Sequence, residues 1–363
     1  MRIDLRRRTN VPWWAEALAP LLAFAVTLAI GSVMFAASGK PPVAALTAYF
    51  IEPLSEIWSI HELAIKAAPL IIIAVGLSVA YRSNTWNIGA EGQFVAGAIT
   101  GAAIPVLFPG ATGVWVLPAM LALGLLGGAA WGAIPGLLKT RFGANEILVS
   151  LMLVYVAQLL LDWLVRGPWR NPEGYNFPET RFFDDSARLP ELIAMGDYGG
   201  RANLGIVIAL VLAAATAILL TRTKKGFEIK VTGASPRAAR FAGFDQKATT
   251  MFAFLFSGAL AGLAGIVEVA GAIGQLTPVI SPGYGFTAII VAFLGRLHPI
   301  GIVIAGLVLA LTYLGGEAAQ ISLGLSEKIA QVFQGVLLFA VLASDTLVRY
   351  RVTVTARGRG VPA

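Results

Sequence analysis

Apolar blocks of about twenty residues, each long enough to cross ~30 Å of hydrocarbon as a helix, recur from Ala17 to Val348. In lipid every backbone N–H and C=O must find its partner within the protein, and a helix satisfies them segment by segment. Strands of a membrane barrel would give shorter segments of alternating polarity, and the spanning blocks show no such pattern. Composition agrees, since 57% of the 363 residues are apolar and only 13% charged, against roughly a quarter charged in soluble domains. The expected fold is all-α: a polytopic membrane protein with about ten transmembrane helices.

The blocks place spans at about 17–37, 63–81, 88–108, 114–138, 146–165, 204–221, 250–270, 284–296, 299–317 and 327–348. The third, eighth and ninth are short or interrupted by Gly and Pro. The run from Ala17 to Ala37 exceeds the apolar core of a signal peptide, so it is read as a retained helix although Ala36, Ala37 and Ser38 mimic a cleavage site. Ten spans return both termini to one side. With Arg2, Arg6, Arg7 and Arg8 on that side, 19 of the 27 Lys and Arg residues share it, and 13 of the 20 acidic residues lie opposite. By the positive-inside rule that side is cytoplasmic. The chain then comprises a basic cytoplasmic N-terminus (1–16), a transmembrane domain (17–348) and a basic cytoplasmic tail (349–363). An outer loop over 166–203 carries four prolines and the aromatics Trp169, Tyr175, Phe177, Phe182 and Phe183, which favour an ordered cap. An inner loop over 222–249 is strongly basic. The net charge of +7 therefore reports orientation in a bilayer, and nucleic acid is not an expected partner.

Several polar stretches interrupt this pattern. Ser83 to Gln93 sets Asn84, Asn87, Glu91 and Gln93 beside Gly89 and Gly92 at the start of an apolar span. An ionisable group there marks a pathway or a partner, and the glycines permit a broken helix; ordinary helix capping in an interfacial loop is the other reading. Gly124, Gly128, Gly132 and Gly136 recur at every fourth residue, as do Gly258 and Gly262, a spacing that lets helices pack closely within the chain; dimerisation or a substrate-lining face is the other reading. Asn145 and Glu146 are placed to cap the span at 146–165, near whose start Ser150 lies. Glu268 is either buried or at the interface. In the inner loop, Ser235 suits an N-cap, Pro236 the first helical position and Gly243 a C-terminal stop. The result is a short helix outside the membrane with Arg237 and Arg240 on one face and Phe241 beside them, features suited to docking a soluble partner. The sequence has no Gly-x-x-x-x-Gly-Lys-Ser/Thr loop and no His-Glu-x-x-His, its histidines are His61 and His298, and it holds no cysteine. ATP binding by a P-loop, zincin chemistry and thiol chemistry are thereby excluded for this chain.

These stretches resemble a known family. Asn84 to Gln93 (NTWNIGAEGQ) is similar to the signature of permease subunits of bacterial ABC importers for simple sugars and nucleosides, within the branched-chain amino acid/ribose-type superfamily. Gly143 to Tyr155 (GANEILVSLMLVY) resembles the branch that works with basic-membrane-protein-type lipoprotein receptors and carries nucleosides. Gly233 to Gly243 (GASPRAARFAG) looks like the family's coupling helix, and Ser281 to Gly295 (SPGYGFTAIIVAFLG) like its late re-entrant segment. The resemblance implies two permease chains, identical or paralogous, around a pathway in the bacterial inner membrane. It implies cytoplasmic ATPase subunits that hold ATP and Mg, with no cofactor on this chain and no enzymatic activity of its own, and an external substrate-binding protein. By the same resemblance Asn84, Asn87, Glu91, Gln93, Asn145, Glu146 and Ser150 fall at or near the pathway. Ser235, Pro236, Arg237, Ala239, Arg240, Phe241 and Gly243 fall at the ATPase contact; the family often has Asn where Ser235 stands. The implied function is ATP-driven import of a nucleoside by alternating access, with a simple-sugar permease and an ion-coupled secondary transporter as alternatives.

The topology makes a direct prediction. In Ala238→Cys, the single thiol should react with a membrane-impermeant maleimide in inverted vesicles and stay unlabelled in intact cells; labelling of intact cells would reverse the orientation.

Overall fold

The protein is described by a computed structural model covering residues 2–7, 13–192, 201–324 and 350–355, with isolated positions between 326 and 344. Thirteen α-helices are described: α1 (Trp13–Ala37), α2 (Pro42–Phe50), α3 (Glu52–Ser55), α4 (Ile57–Arg82), α5 (Ala90–Leu107), α6 (Val116–Phe142), α7 (Glu146–Arg166), α8 (Gly205–Arg222), α9 (Lys224–Ala234), α10 (Pro236–Phe241), α11 (Gln246–Glu268), α12 (Tyr284–Leu294) and α13 (Pro299–Leu323). A π-turn, Val269–Ile273, extends α11. Among the described residues, seven helices are long and apolar enough to cross a membrane: α4 to α8, α11 with its π-turn, and α13.

Two expectations need correction. The span expected at 284–296 is an 11-residue helix, about 16 Å long at 1.5 Å per residue and half of what hydrocarbon requires. The span expected at 88–108 loses its first residues to a non-helical stretch that runs to Gly89. The candidate spans are all helical, as expected; outside them β1 (Arg2–Arg7) pairs antiparallel with β2 (Tyr350–Thr355), Leu5 opposite Val352. Both strands alternate apolar with polar residues, and β2 is rich in β-branched Val and Thr, which favour a pleated ribbon. The span expected at 327–348 lies outside the described residues apart from isolated positions.

The chain divides into two compact units, residues 1–55 with 312–363, and residues 56–311. In the first, Phe35, Tyr49, Ala319 and Phe333 form a buried cluster. The Tyr49 and Phe333 rings pack at 5.0 Å between centroids, tilted by 46°. Helix α2, a nine-residue segment inside an expected connection, supplies Tyr49 and is too short to register as a block.

The second unit is built around α4, buried at every residue from Ala67 to Tyr81, as expected of a helix apolar all round. Beside it, α5, α6 and α11 meet along the small residues. A Cβ on Gly128 would lie 2.2 Å from the Gly258 carbonyl oxygen, and one on Gly97 would lie 2.1 Å from the Gly262 Cα. The fourfold glycine spacing thus serves packing within the chain. No hydrophobic force draws helices together in lipid, so this close contact is the attraction available to them.

Polar connections of the second unit gather at two ends. At the basic end, Arg82 donates from Nε to the Leu297 carbonyl at 2.9 Å, and Gly233 abuts the Arg82 carbonyl. Lys139 pairs with Glu146 at 2.7 Å there. At the opposite end, residues 167–192 cover the bundle: Leu189 N donates to Ala270 O at 2.9 Å and Phe183 N to Gly274 O at 2.8 Å. Arg201 also reaches Glu62 at 3.0 Å. The connections of the second unit are thus grouped by charge, with Arg82, Lys139 and the α9–α10 segment at one end and residues 167–192 at the other.

Candidate functional site

After Arg82 the chain turns back into the bundle without helical structure, with Asn84 at φ 56°. Ser83 caps the end of α4 by donating to the Ala80 carbonyl at 2.7 Å. Asn87 is fully buried beside Ser257, near the middle of α11. Its Nδ2 donates to Gln93 Oε1 at 2.8 Å and to Ser257 Oγ at 2.9 Å. Gln93 Nε2 and the Gly89 N–H each return a bond to Asn87 Oδ1 at 3.1 Å. The Tyr81 hydroxyl donates to the Asn87 carbonyl at 3.0 Å. An amide offers two donors and two acceptor sites, and Asn87 uses all four. The pair Asn87–Gln93 therefore holds the broken backbone together within the protein.

Glu91, one turn on, is also buried. Its Oε2 accepts from the Gly285 N–H at 2.6 Å, and Ser281 hydrogen-bonds the same carboxylate. Gly285 begins α12 in backbone contact with Glu91: a Cβ there would lie 2.3 Å from the Glu91 nitrogen. Residues 274–283 thus descend without helical structure from the covered end, and α12 completes the crossing to the basic end. The stretch Ser281 to Gly295, expected to be re-entrant, is instead the helical part of a broken crossing, since Leu297 just past it meets Arg82 at the basic end.

Glu91 and Ser281 line a cavity of about 500 Å³ whose other polar walls are Tyr155, Gln158, Asp162 and Arg166 of α7. Arg166 pairs with Asp162 at 2.7 Å. Val95, Leu161 and Ile280 are among its apolar walls. Sequence reasoning missed the α7 residues, because a hydropathy average hides them. The signal was available: Tyr155, Gln158, Asp162 and Arg166 follow helical spacing along one face of an apolar span.

The other expected pathway residues lie elsewhere. Asn145 caps α7, its side chain accepting from Ile147 N and Leu148 N. Ser150 is buried where Gly89 packs against it. Asn84, with Glu146, lines a smaller cavity of about 210 Å³ at the basic end beside Lys139, Thr232 and Pro236. The seven residues thus divide among the large cavity (Glu91), the amide network beneath it (Asn87, Gln93) and the basic end. Glu268 is buried and interacts with the charges of Lys66 and Glu62.

At the basic end, α10 forms as its caps predict. Ser235 Oγ accepts from Ala238 N at 3.3 Å, Pro236 occupies the first turn, and Gly243 takes φ 77°. Ala239 faces inward, while Arg237, Arg240 and Phe241 border a shallow cavity of about 300 Å³ and Phe241 is 94% exposed. Helix α9 is tied to α11 through Glu228, which accepts from Lys225 at 2.9 Å and from Thr249. Burial raises the Glu228 carboxyl, but the hydrogen bonds from Thr249 and Lys225 outweigh it and leave it below the usual range. The tie is complete at neutral pH and is lost as pH falls through that lowered value.

Comparison with known proteins gives a consistent picture. The family described as branched-chain amino acid transport system, permease component, matches residues 59–342. The glucose ABC transporter permease protein TsgB13 of Haloferax volcanii is 35% identical over 100% of this chain and 97% of its own. The guanosine ABC transporter permease protein NupP of Bacillus subtilis is 29% identical over 91% of this chain and 94% of its own. The nucleoside ABC transporter permease protein NupB of Lactococcus lactis is 29% identical over 89% of this chain and 90% of its own.

The amide network yields a test of its own. Asn87→Leu leaves Gln93 and the Gly89 N–H without their partner, which should cost about 1–3 kcal/mol. The double variant Asn87→Leu/Gln93→Leu should lose less than the sum of the singles in thermal melts of the purified protein; additive losses would show that the two amides do not act as a pair.

Proposed function

The chain belongs to the permease-component family of branched-chain amino acid transport systems, and we propose that it passes a small uncharged, hydroxyl-rich solute, foremost a nucleoside, along the cavity beside Glu91. It is an ABC transporter permease, a transport subunit and not an enzyme. Transport by this family is driven by a partner ATPase, which displaces the ion-coupled reading.

The observation that carries the proposal is the cavity itself. In a bundle of apolar spans, a carboxylate, an amide, a phenol and a hydroxyl converge on one space of about 500 Å³. Polar side chains within a membrane segment are costly and mark a pathway by default. Its cation, Arg166, is already paired with Asp162, so an anionic solute meets unpaired carboxylate and no free positive charge. Amide and carboxylate groups suit hydroxyls and base edges, and the Tyr155 ring suits the flat face of a base or a sugar. A simple sugar is the second reading, favoured by the whole-length similarity to a glucose permease.

The remaining parts fit alternating access across the cytoplasmic membrane, both chain ends lying inside. The exposed Arg237, Arg240 and Phe241 on a capped helix would receive the ATPase subunits. A second permease chain, identical or paralogous, would close the pathway, and an external binding protein would deliver solute to the covered end.

Two outcomes test this reading. Gln158→Cys should react with a small hydrophilic thiol reagent and lose most uptake of labelled guanosine or glucose once modified; a thiol that is inert in every state of the transporter removes the cavity from the pathway. Arg240→Glu should lower ATPase copurification and uptake at least about tenfold, some 1.4 kcal/mol of docking energy, at unchanged membrane insertion. Wild-type copurification would remove α10 from the contact.

A further inference from the structure

Two helices begin inside the membrane bundle, and they begin against each other. The first turns of α5 and α12 touch at Glu91 and Gly285, where a Cβ on the glycine would lie 2.5 Å from the Glu91 Cα and 2.8 Å from the Ala90 carbonyl carbon. Each helix start carries unpaired N–H groups and the positive end of a dipole, so two of them side by side in a water-poor interior repel. The Glu91 carboxylate offsets both. It accepts the Gly285 N–H at 2.6 Å and a hydrogen bond from Ser281, whose Oγ in turn accepts from Gly283 N at 3.0 Å and Tyr284 N at 2.9 Å. One carboxylate thus fixes the start of α12 to α5. That carboxylate and the Ser281 hydroxyl are also walls of the large cavity.

The far end of α12 sits at the basic end. Leu297, just past it, accepts from Arg82 Nε at 2.9 Å, and the Arg82 carbonyl packs on Gly233 of α9, two residues before the cap of α10. A rigid helix therefore runs from the floor of the cavity to the base of the exposed cytoplasmic helix.

We propose that Glu91 is the latch of the pathway: its carboxylate holds α12 against α5 until hydroxyl groups of the solute replace Ser281 and Gly285 as its donors, and the start of α12 then parts from α5. This rests on the cavity being the pathway. The chemistry selects a solute with two adjacent O–H groups, because a vicinal diol presents two donors to the two oxygens of one carboxylate. An anion is repelled, and a solute without the diol cannot replace both donors. Exchange of donors keeps the buried carboxylate bonded throughout.

The test is hydrogen exchange, read by mass spectrometry over residues 283–287 in the full transporter with its ATPase in nanodiscs. Trapping with ATP and vanadate in the presence of millimolar uridine should accelerate exchange at the start of α12 at least about tenfold over the nucleotide-free, solute-free state, as expected for a local opening. Millimolar uridine alone should accelerate it by a smaller factor, and 2′,3′-dideoxyuridine should not. Glu91→Gln should exchange fast in both states, so that the difference between them collapses. Ser281→Ala, which removes one donor and no charge, should show the same trend and serves if the Glu91 variant does not fold. Unchanged exchange on trapping, or a full state difference retained in Glu91→Gln or Ser281→Ala, overturns the latch. Equal effects of the two nucleosides overturn the diol exchange. A reactive Gln158→Cys combined with unchanged exchange at 283–287 would leave the cavity as the pathway and remove only the latch.

Discussion

A chain in hydrocarbon can interrupt a helix only where protein takes over the hydrogen bonds that the helix gave up. Among the described residues two crossings are interrupted, at residues 83–89 and 274–283, and much of the polar chemistry is committed to those breaks. At the first, Tyr81, Gln93 and Ser257 bind Asn87, and Asn87 in turn binds Gly89. At the second, Thr180 of the covering loop bonds Leu276 in both directions, N–H to carbonyl at 3.0 Å and N–H to hydroxyl at 2.9 Å, while Ser281 and Glu91 take the start of α12. The loop over 167–192 is therefore a structural partner of the broken crossing, which explains why it carries order-promoting prolines and aromatics.

The breaks also depend on the glycine seam. Gly97, Gly128, Gly258 and Gly262 bring the backbones of α5, α6 and α11 into van der Waals contact, and that closeness sets Ser257 within reach of Asn87. A larger side chain at the seam would move α11 outward by more than a hydrogen bond tolerates, since these bonds weaken steeply with distance and angle. Packing and polar satisfaction are thus one constraint in this bundle.

Much of the architecture is legible in the sequence because hydropathy and length report burial in lipid directly. The inner helix was equally plain, since Ser235, Pro236 and Gly243 act within a few residues of one another. Depth was not legible. Asn84, Asn87, Glu91 and Gln93 form one cluster in sequence, yet Asn84 lines a cavity at the basic end while Asn87 bonds Ser257, 170 residues away. Nothing local distinguishes an interfacial amide from one at the heart of a bundle. The apolar run at 284–296 matches a crossing in character, and only its partners reveal that it starts part-way through. The α7 stripe was hidden for a different reason: Gln158 and Asp162 are outvoted in any average by the leucines and valines around them, although their spacing is informative.

On the proposed reading, a pathway has to bind solute and then release it, and a buried carboxylate sharpens that problem. Left unpaired in a medium of low polarity, it would cost several kcal/mol; paired with a fixed cation, it would have no bond to offer a solute. Glu91 avoids both states because its partners are a hydroxyl and a backbone N–H, donors of the same strength class as a solute hydroxyl. Substituting one for the other changes little in energy but moves the start of a helix. Asp162 does not face that problem in the same degree, since its side chain is 40% exposed, and its cation Arg166 one turn away at 2.7 Å holds it as a fixed wall. The two carboxylates of one cavity are thereby assigned different mobility by their burial and their donors.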